Sequence, residues 1–507
     1  MRGISLETIG YAVGLVVALM PSYIHPDEHF QSLEMLTRIF YGTEGYVPWE
    51  FDSTNAARSY VPLLMYYGPL YYVVKNIFLI ENPTVILYLA RAQNYLLFLL
   101  TARHNIPYLL PLNPTHQKKA LALIATSYVT WSFQSHTFSN SIETVILLCV
   151  LVTFSVQLSE CRISNIKIPL IQGSLIVLGI FNRMTFPVFI LLPSLWVFWK
   201  FYRKHILPFC VFIVSILFFT TSFIMIDTAI FHTDNYVVAP LNNLLYNLSV
   251  SNLADHGLHK RYTHILINLP QLAGPAMIYL FPTSPQRVSA YVKFLPWLTV
   301  LSTLAVLSIF PHQELRFLVP SLPYICILMS QHESKFILKL WIIFNIIMGL
   351  IIGVLHQSGI VTTFNNEEFY KQSSIGVHIW WKTYSPPTWM YMNKKITAVT
   401  TNFVDDLEHV DNVNFSEIDN QVIDLKGADM ELANYTIHKF LKNENLEVVS
   451  LFYPQSMQTK VLQLLDNDKL SHKIIFHTLQ HLDLDHFDTD DLTTFIPGFY
   501  HIEIYNN

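Results

Sequence analysis

The sequence predicts an all-α polytopic membrane protein that ends in a small lumenal α/β region. Of 507 residues, 52% are hydrophobic and only 13% charged, a balance that fits repeated membrane crossings better than one soluble core. Apolar runs recur along the first two thirds of the chain, several near the roughly 20 residues that a straight helical crossing needs. From about Asn365 the runs shorten and charge rises, which marks a change of fold. This division places a membrane part at 1–356, with lumenal loops 24–84 and 227–264, and a carboxyl-terminal part at 357–507.

The charge balance excludes one class of function. A net charge of −5, concentrated in the last third, gives no footing for nucleic acid. Cys149, Cys161, Cys210 and Cys326 lie in or beside apolar runs, where they read as small buried hydrophobes, so neither a disulfide framework nor a zinc site is implied.

Taken in order, residues 1–23 hold one early Arg and an apolar run with no small-residue cleavage pattern before His25, which predicts an uncleaved first span with Arg2 cytosolic. Further runs cover 85–100, 120–133, 144–158, 168–199, 206–226, 265–280, 290–309, 317–329 and 337–355. The stretch 61–80 contains Gly68-Pro69 and a run of tyrosines and suits an interfacial helix. The stretch 168–199 is too long for one crossing and is interrupted by "FNRMTFP", which predicts two short spans meeting at Asn182 and Arg183. About eleven crossings result. They gather Arg103 with Lys118-Lys119, Arg162 with Lys167, Lys200 with Arg203-Lys204, and Lys335 with Lys339 on the cytosolic side. The lumenal side then receives nearly every unusual polar cluster, together with the sequons at Asn247, Asn414 and Asn434.

One of those clusters, "YIHPDEHFQSLE" at 23–34, follows directly on the first span. Pro26 with Asp27 and Glu28 reads as a helix start, since Pro suits a first turn and acidic side chains there are favoured by the helix dipole. That reading leaves the crowding of His25, His29, Phe30, Gln31 and Glu34 around the pair without a purpose. Adjacent helical residues point about 100° apart, so one carboxylate would act on a substrate atom while the other orients or binds. A transporter or scramblase of lipid-linked sugar is the rival from another class, and a transporter calls for ionisable groups near the bilayer midplane on repeated broken helices. Here the charges other than Arg183 read as lying at span ends, and no internal repeat is visible.

"HPDEHFQSLE", "PLNNLLYNL" at 240–248, "NLADHGLHKRYTHILINLPQL" at 252–272, "HQELRFLVP" at 312–320 and "WWKTYSPPTWM" at 380–390 together resemble the dolichyl-phosphate-mannose-dependent mannosyltransferases of the GT-C fold, glycosyltransferase family 22. Within that family the likeness is to the branch that adds the fourth, side-branching α1,2-mannose to the glycosylphosphatidylinositol (GPI) precursor in the endoplasmic reticulum. Members that add the third GPI mannose, or mannoses of the N-glycan precursor, share donor and chemistry and are the alternatives.

The resemblance implies an inverting single displacement from dolichyl phosphate mannose. Asp27 is the implied base, taking the proton of the acceptor 2-hydroxyl, and Glu28 orients the sugar, unless the two exchange roles. The leaving phosphate calls for cations: Arg316 first, with His312, Arg261 and Arg183. Glu314 is a candidate for substrate contact and is placed to pair with Arg316. His25, His29, Gln31, Asn243, His256 and His259 are candidates for substrate contacts; Asn242, Asn243 and Asn247 equally suit turn caps. No protein cofactor is implied, and a divalent cation is left open. His256, His259 and His264 lack the carboxylate or cysteine that would complete a metal pattern, and "HLDLDHFDTDD" at 481–491 lacks the central Gly and closing Glu of a calcium loop. Membrane lipid, the donor and a GPI-precursor glycolipid are the expected partners. The final "EIYNN" is not a retrieval signal.

Overall fold

The computed structural model describes residues 5–111, 114–160, 166–249, 257–280, 294–366, 376–392, 396–400, 410–411, 420–443 and 446–506. The chain divides into two units that interleave along the sequence: residues 1–18, 48–69 and 90–348 form the first, and 19–47, 70–89 and 349–507 the second. The main break at 348/349 lies near the composition change, but the second unit also takes the acidic stretch after the first span.

The first unit is helical. Its elements begin with α1 (Leu6–Ala18), and the acidic stretch then leads to α2 (Glu34–Tyr41) in the second unit. Along the chain follow α3 (Tyr60–Asn76) and α4 (Pro83–Leu109), each divided between the two units, and then, in the first unit, α5 (Pro114–Ala125), the single turn α6 (Tyr128–Trp131), α7 (Ser139–Glu160), α8 (Lys167–Asn182), α9 (Phe186–Lys200), α10 (Ile206–Phe231) and α11 (Ala239–Leu248). Helix α8 packs on α7 and α10, and α9 packs on the helix Phe294–Leu307. The interruption read at "FNRMTFP" is a break between α8 and α9: Arg183 takes an extended backbone, and Pro187 lies in the first turn of the second helix. The 120–133 run also divides, because Ser127 is extended and its hydroxyl caps α6 at Val129 N. At the start of α3 the cap comes from far along the chain: Asp227 of α10 accepts the Tyr60 N–H at 2.9 Å.

Among the described residues, four helices are long and apolar enough to cross a membrane: Pro83–Leu109, Ser139–Ser159, Ile206–Phe231 and Lys335–Leu355. Four shorter apolar helices accompany them, Leu6–Ala18, Lys167–Asn182, Phe294–Leu307 and Leu315–Ser330, where composition suggests about eleven crossings. The run at 265–280 is not one straight helix. It passes through a wide π turn (His264–Asn268), a short α segment (Leu269–Ala273) and a tight 3-10 stretch (Gly274–Leu280), and Gly274 has φ +47°. Pro270, Gly274 and Pro275 account for the changes of winding.

The second unit is built on a six-stranded mixed sheet of order β2-β3-β1-β4-β6-β5. The strands are β1 (Val377–Trp380), β2 (Ile396–Thr400), β3 (Asn420–Asp424), β4 (Val449–Pro454), β5 (Ser471–Thr478) and β6 (Phe499–Tyr505). Strands β2, β3, β1 and β4 run parallel, and β6 joins them antiparallel, carrying the edge hairpin partner β5. Every residue of β1 and β3 is buried, as expected of parallel strands covered on both faces. One face carries an aliphatic core of Val377, Ile379, Ile423, Leu432, Ile437 and Val461, supplied in part by the helices Met430–Leu441 and Gln458–Asn467. The other face is aromatic: Trp380 stacks on Phe452 at 4.1 Å, and Phe452 stacks on His501 at 4.1 Å.

Candidate active site

The acidic stretch folds as the sequence suggests, with one addition. Pro26 opens a turn in which His29 N and Phe30 N both donate to its carbonyl, at 3.0 and 3.1 Å. Instead of continuing as a regular helix, His29–Leu33 widens into a π turn before α2 begins at Glu34, a feature often found at functional sites. Helix α2 ends at Gly42, which takes the left-handed conformation (φ +69°) and donates to Arg38 O at 3.1 Å.

This geometry gives the two carboxylates different surroundings. The Asp27 side chain is 21% exposed, whereas those of Glu28 and His29 have no exposed surface. His25 Nδ1 accepts the Asp27 backbone N–H at 3.1 Å and lies 3.4 Å from its carboxylate. His29 Nε2 lies 3.8 Å from Glu28 Oε2, and Gln31 is half-buried on the π turn. A little further along, buried Glu34 accepts the Thr388 hydroxyl at 2.5 Å and the Trp389 backbone N–H at 3.0 Å. Burial pushes its carboxyl up to about 7, although both hydrogen bonds pull the other way.

A second group of predicted residues gathers in the helical unit. Glu314 is shared by His312, whose Nε2 lies 2.8 Å from Oε1, and by Arg316, whose Nε meets Oε2. Glu314 thus holds the guanidinium. Arg183 lies 3.5 Å from Glu143 of α7 and donates to the Ser139 hydroxyl at 2.8 Å. The guanidiniums of Arg183 and Arg316 both approach the ring of Phe317, at 5.5 and 5.4 Å, and His312 lies against the same ring at 5.4 Å. Burial lowers the imidazole pKa of His312, but the hydrogen bond and charge of Glu314 outweigh it and leave the ring more basic than usual.

Gln313 holds this cluster in place, a role that no local pattern announces. Its side chain accepts His264 N–H at 2.8 Å and donates to Phe310 O at 2.9 Å and Arg261 O at 3.3 Å. His259 N–H donates to Pro311 O at 2.7 Å, and His312 Nδ1 lies 2.9 Å from Gly257 O. The segments 257–268 and 308–316 are therefore stitched together, with the Arg261 and His259 side chains exposed. Asn243 is elsewhere, on α11, where it accepts from Asn247 at 2.9 Å. Asn434 sits in the helix Met430–Leu441. His256 and Asn414 lie outside the described residues. Among the described residues, no three His, Cys, Asp or Glu side chains group as metal ligands.

The nature of the molecule follows from its relatives in structure and in sequence. The crystal structure of ArnT from Cupriavidus metallidurans bound to undecaprenyl phosphate superposes with a TM-score of 0.55 at 12% identity, over 92% of this chain and 95% of that one. The fold is that of the GT-C membrane glycosyltransferases. More specifically, the chain belongs to the Alg9-like mannosyltransferase family, whose family model matches residues 6–393. Its relatives include GPI mannosyltransferase 4 of Saccharomyces cerevisiae, 44% identical over 97% of this chain and 98% of that protein. GPI mannosyltransferase 4 of Candida glabrata is 42% identical over 94% and 95%.

Proposed function

We propose that this mannosyltransferase adds the fourth mannose to the GPI-anchor precursor, using dolichyl phosphate mannose in the endoplasmic reticulum membrane. The observation that carries the acceptor is the 44% identity to a GPI mannosyltransferase 4 along nearly the whole length of both chains. In this reading the acidic stretch, the 257–316 cluster and the carboxyl-terminal part from 357 onward face the lumen, and Asn247, Asn414 and Asn434 are glycan acceptors.

The chemistry is one inverting displacement. The 2-hydroxyl oxygen of the third mannose attacks the anomeric carbon of the donor as the bond from that carbon to the phosphate oxygen breaks, turning a β-linked donor into an α-linked product. Asp27 takes the hydroxyl proton, and its partial exposure supports this role over the enclosed Glu28, which orients the acceptor. His25 and Gln31 contact sugar hydroxyls. The departing dolichyl phosphate carries the charge that develops, and Arg316, His312 and Arg183, converging on Phe317, are the groups suited to meet it. Arg261 and His259, exposed on the segment joined to the cluster, extend that surface, and Asn243 contributes to the acceptor side. Glu314 fixes His312 and Arg316.

Depletion of the protein in its own cells, followed by mannose labelling, tests the assignment. A GPI precursor stalled at three mannoses is expected. A stall at two would move the assignment to the third-mannose step, and a truncated dolichol-linked oligosaccharide would move it to N-glycan assembly. Transfer of labelled mannose by the purified protein separates an enzyme of this reaction from a transporter.

A further inference from the structure

We infer that Trp389 and Glu34 are positioning residues for the acidic pair, holding His29 in the tautomer that presents its Nε2–H to Glu28. The inference rests on the reading of Asp27 and Glu28 as the reacting pair and adds a relay behind it. The first link is the indole of Trp389, whose Nε1 lies 3.2 Å from His29 Nδ1. An indole nitrogen only donates, so Nδ1 must accept, and the proton of a neutral imidazole then sits on Nε2. That nitrogen is the one 3.8 Å from Glu28 Oε2, beyond hydrogen-bond length, so the N–H would act on the carboxylate as a nearby dipole where neither side chain has exposed surface.

His29 has little freedom to turn away. Its ring is stacked with Trp389, centroids 6.1 Å apart, and meets the edge of Tyr23 at 4.6 Å. Trp389 is fixed in turn by Glu34. The two oxygens of that carboxylate divide the work, one accepting the Thr388 hydroxyl and the other the Trp389 backbone N–H. Thr388 is gripped from a second direction, since its hydroxyl oxygen accepts Tyr46 N–H at 3.0 Å, and Tyr23 donates to Ser385 O at 2.8 Å. Gly45 makes room for this arrangement: a Cβ there would lie 2.6 Å from both Glu34 Oε1 and Thr388 Oγ1. Glu34, Trp389, His29 and Glu28 thus form a line that starts and ends on the same short helical segment and is closed through the 385–389 loop. Full burial of His29 favours this task over the sugar contact first assigned to it.

The test removes the indole N–H while keeping an aromatic ring. Trp389→Phe is expected to lower kcat roughly tenfold, as loss of a group that orients a functional His does, with KM for donor and acceptor unchanged. The double variant with His29→Gln should be no slower than His29→Gln alone, because both changes break one line. Wild-type kcat in Trp389→Phe, or losses that multiply in the double variant, would overturn the relay. If Trp389→Phe does not fold, 15N-histidine NMR of the intact protein minus the His29→Gln spectrum reads the tautomer directly; Nε2–H is expected, and Nδ1–H would overturn the inference. Asp27→Asn and Glu28→Gln are assayed beside it. Full activity in both removes the parent reading, whereas their inactivity with a fully active Trp389→Phe removes the relay alone.

Discussion

Asp27 and Glu28 are neighbours of equal chemistry with unequal surroundings, and the difference between 21% and no exposure is what favours Asp27 over Glu28 as the proposed base. Asp27→Asn removes the proton acceptor at nearly constant size, so a loss of about 10²–10⁴ in kcat is expected, with insertion and glycosylation intact. Assay of the purified variant with labelled donor checks it; full activity would transfer the base to another residue. Arg316 is held by Glu314 and faces Phe317, and Arg316→Ala should raise donor KM by roughly tenfold or more while acceptor KM hardly changes, the size expected for a lost charge-assisted hydrogen bond. Equal effects on both substrates would argue against phosphate binding. His312 adds a pH signature. Its raised pKa keeps the ring charged further up the pH scale than an ordinary histidine, and that charge is lost as pH rises through the raised value. Donor KM should therefore increase with pH in the wild type and lose this increase in His312→Gln; the two pH profiles decide it.

At the scale of elements, the helix break at 182–183 and the helix start at Pro26 were both legible, because each is written in local chemistry: a polar interruption in an overlong apolar run, and Pro followed by acids. The broken winding at 264–280 was not, since composition shows an apolar run and conceals how Pro270 and Gly274 divide it. What secures this segment is Gln313, a buried amide whose loss leaves several backbone groups without their partner. Gln313→Leu should destabilise the helical unit by about 1–3 kcal/mol, the cost of leaving such groups unsatisfied. The melting midpoint in detergent measures it. An unchanged midpoint would credit the segment's stability to the packing of buried Leu269 and Leu272 instead.

For the whole molecule, the composition change near 365 announced an α/β part, and β1 to β6 supply its sheet, but the sequence did not announce the histidines enclosed in it. Burial pushes His378 down to about 4 and His481 and His501 to about 3, from an ordinary value of 6.5. Each binds its proton more readily unfolded than folded, so the stability it contributes is complete above pH 6.5 and drains away as pH falls toward those lower values. The sheet unit should accordingly open in mild acid. Fluorescence of the tryptophans, which include Trp380 stacked on Phe452, followed from pH 7 downward, reports the opening. His501→Phe removes one such group and should move the midpoint to lower pH; an unmoved midpoint would place the acid-sensitive contact elsewhere.

The sequence by itself determined that this chain crosses a membrane repeatedly and that its helices break at 182–183, because hydropathy, proline and charge act over a few residues. Its motifs also pointed to the family. Only the tertiary structure decided which acid is enclosed, that Arg183 and Arg316 share one aromatic ring, and that Trp389 reaches His29 across 360 positions of chain. Those outcomes depend on desolvation and on hydrogen-bond partners brought from distant segments, and neither leaves a trace in local pattern.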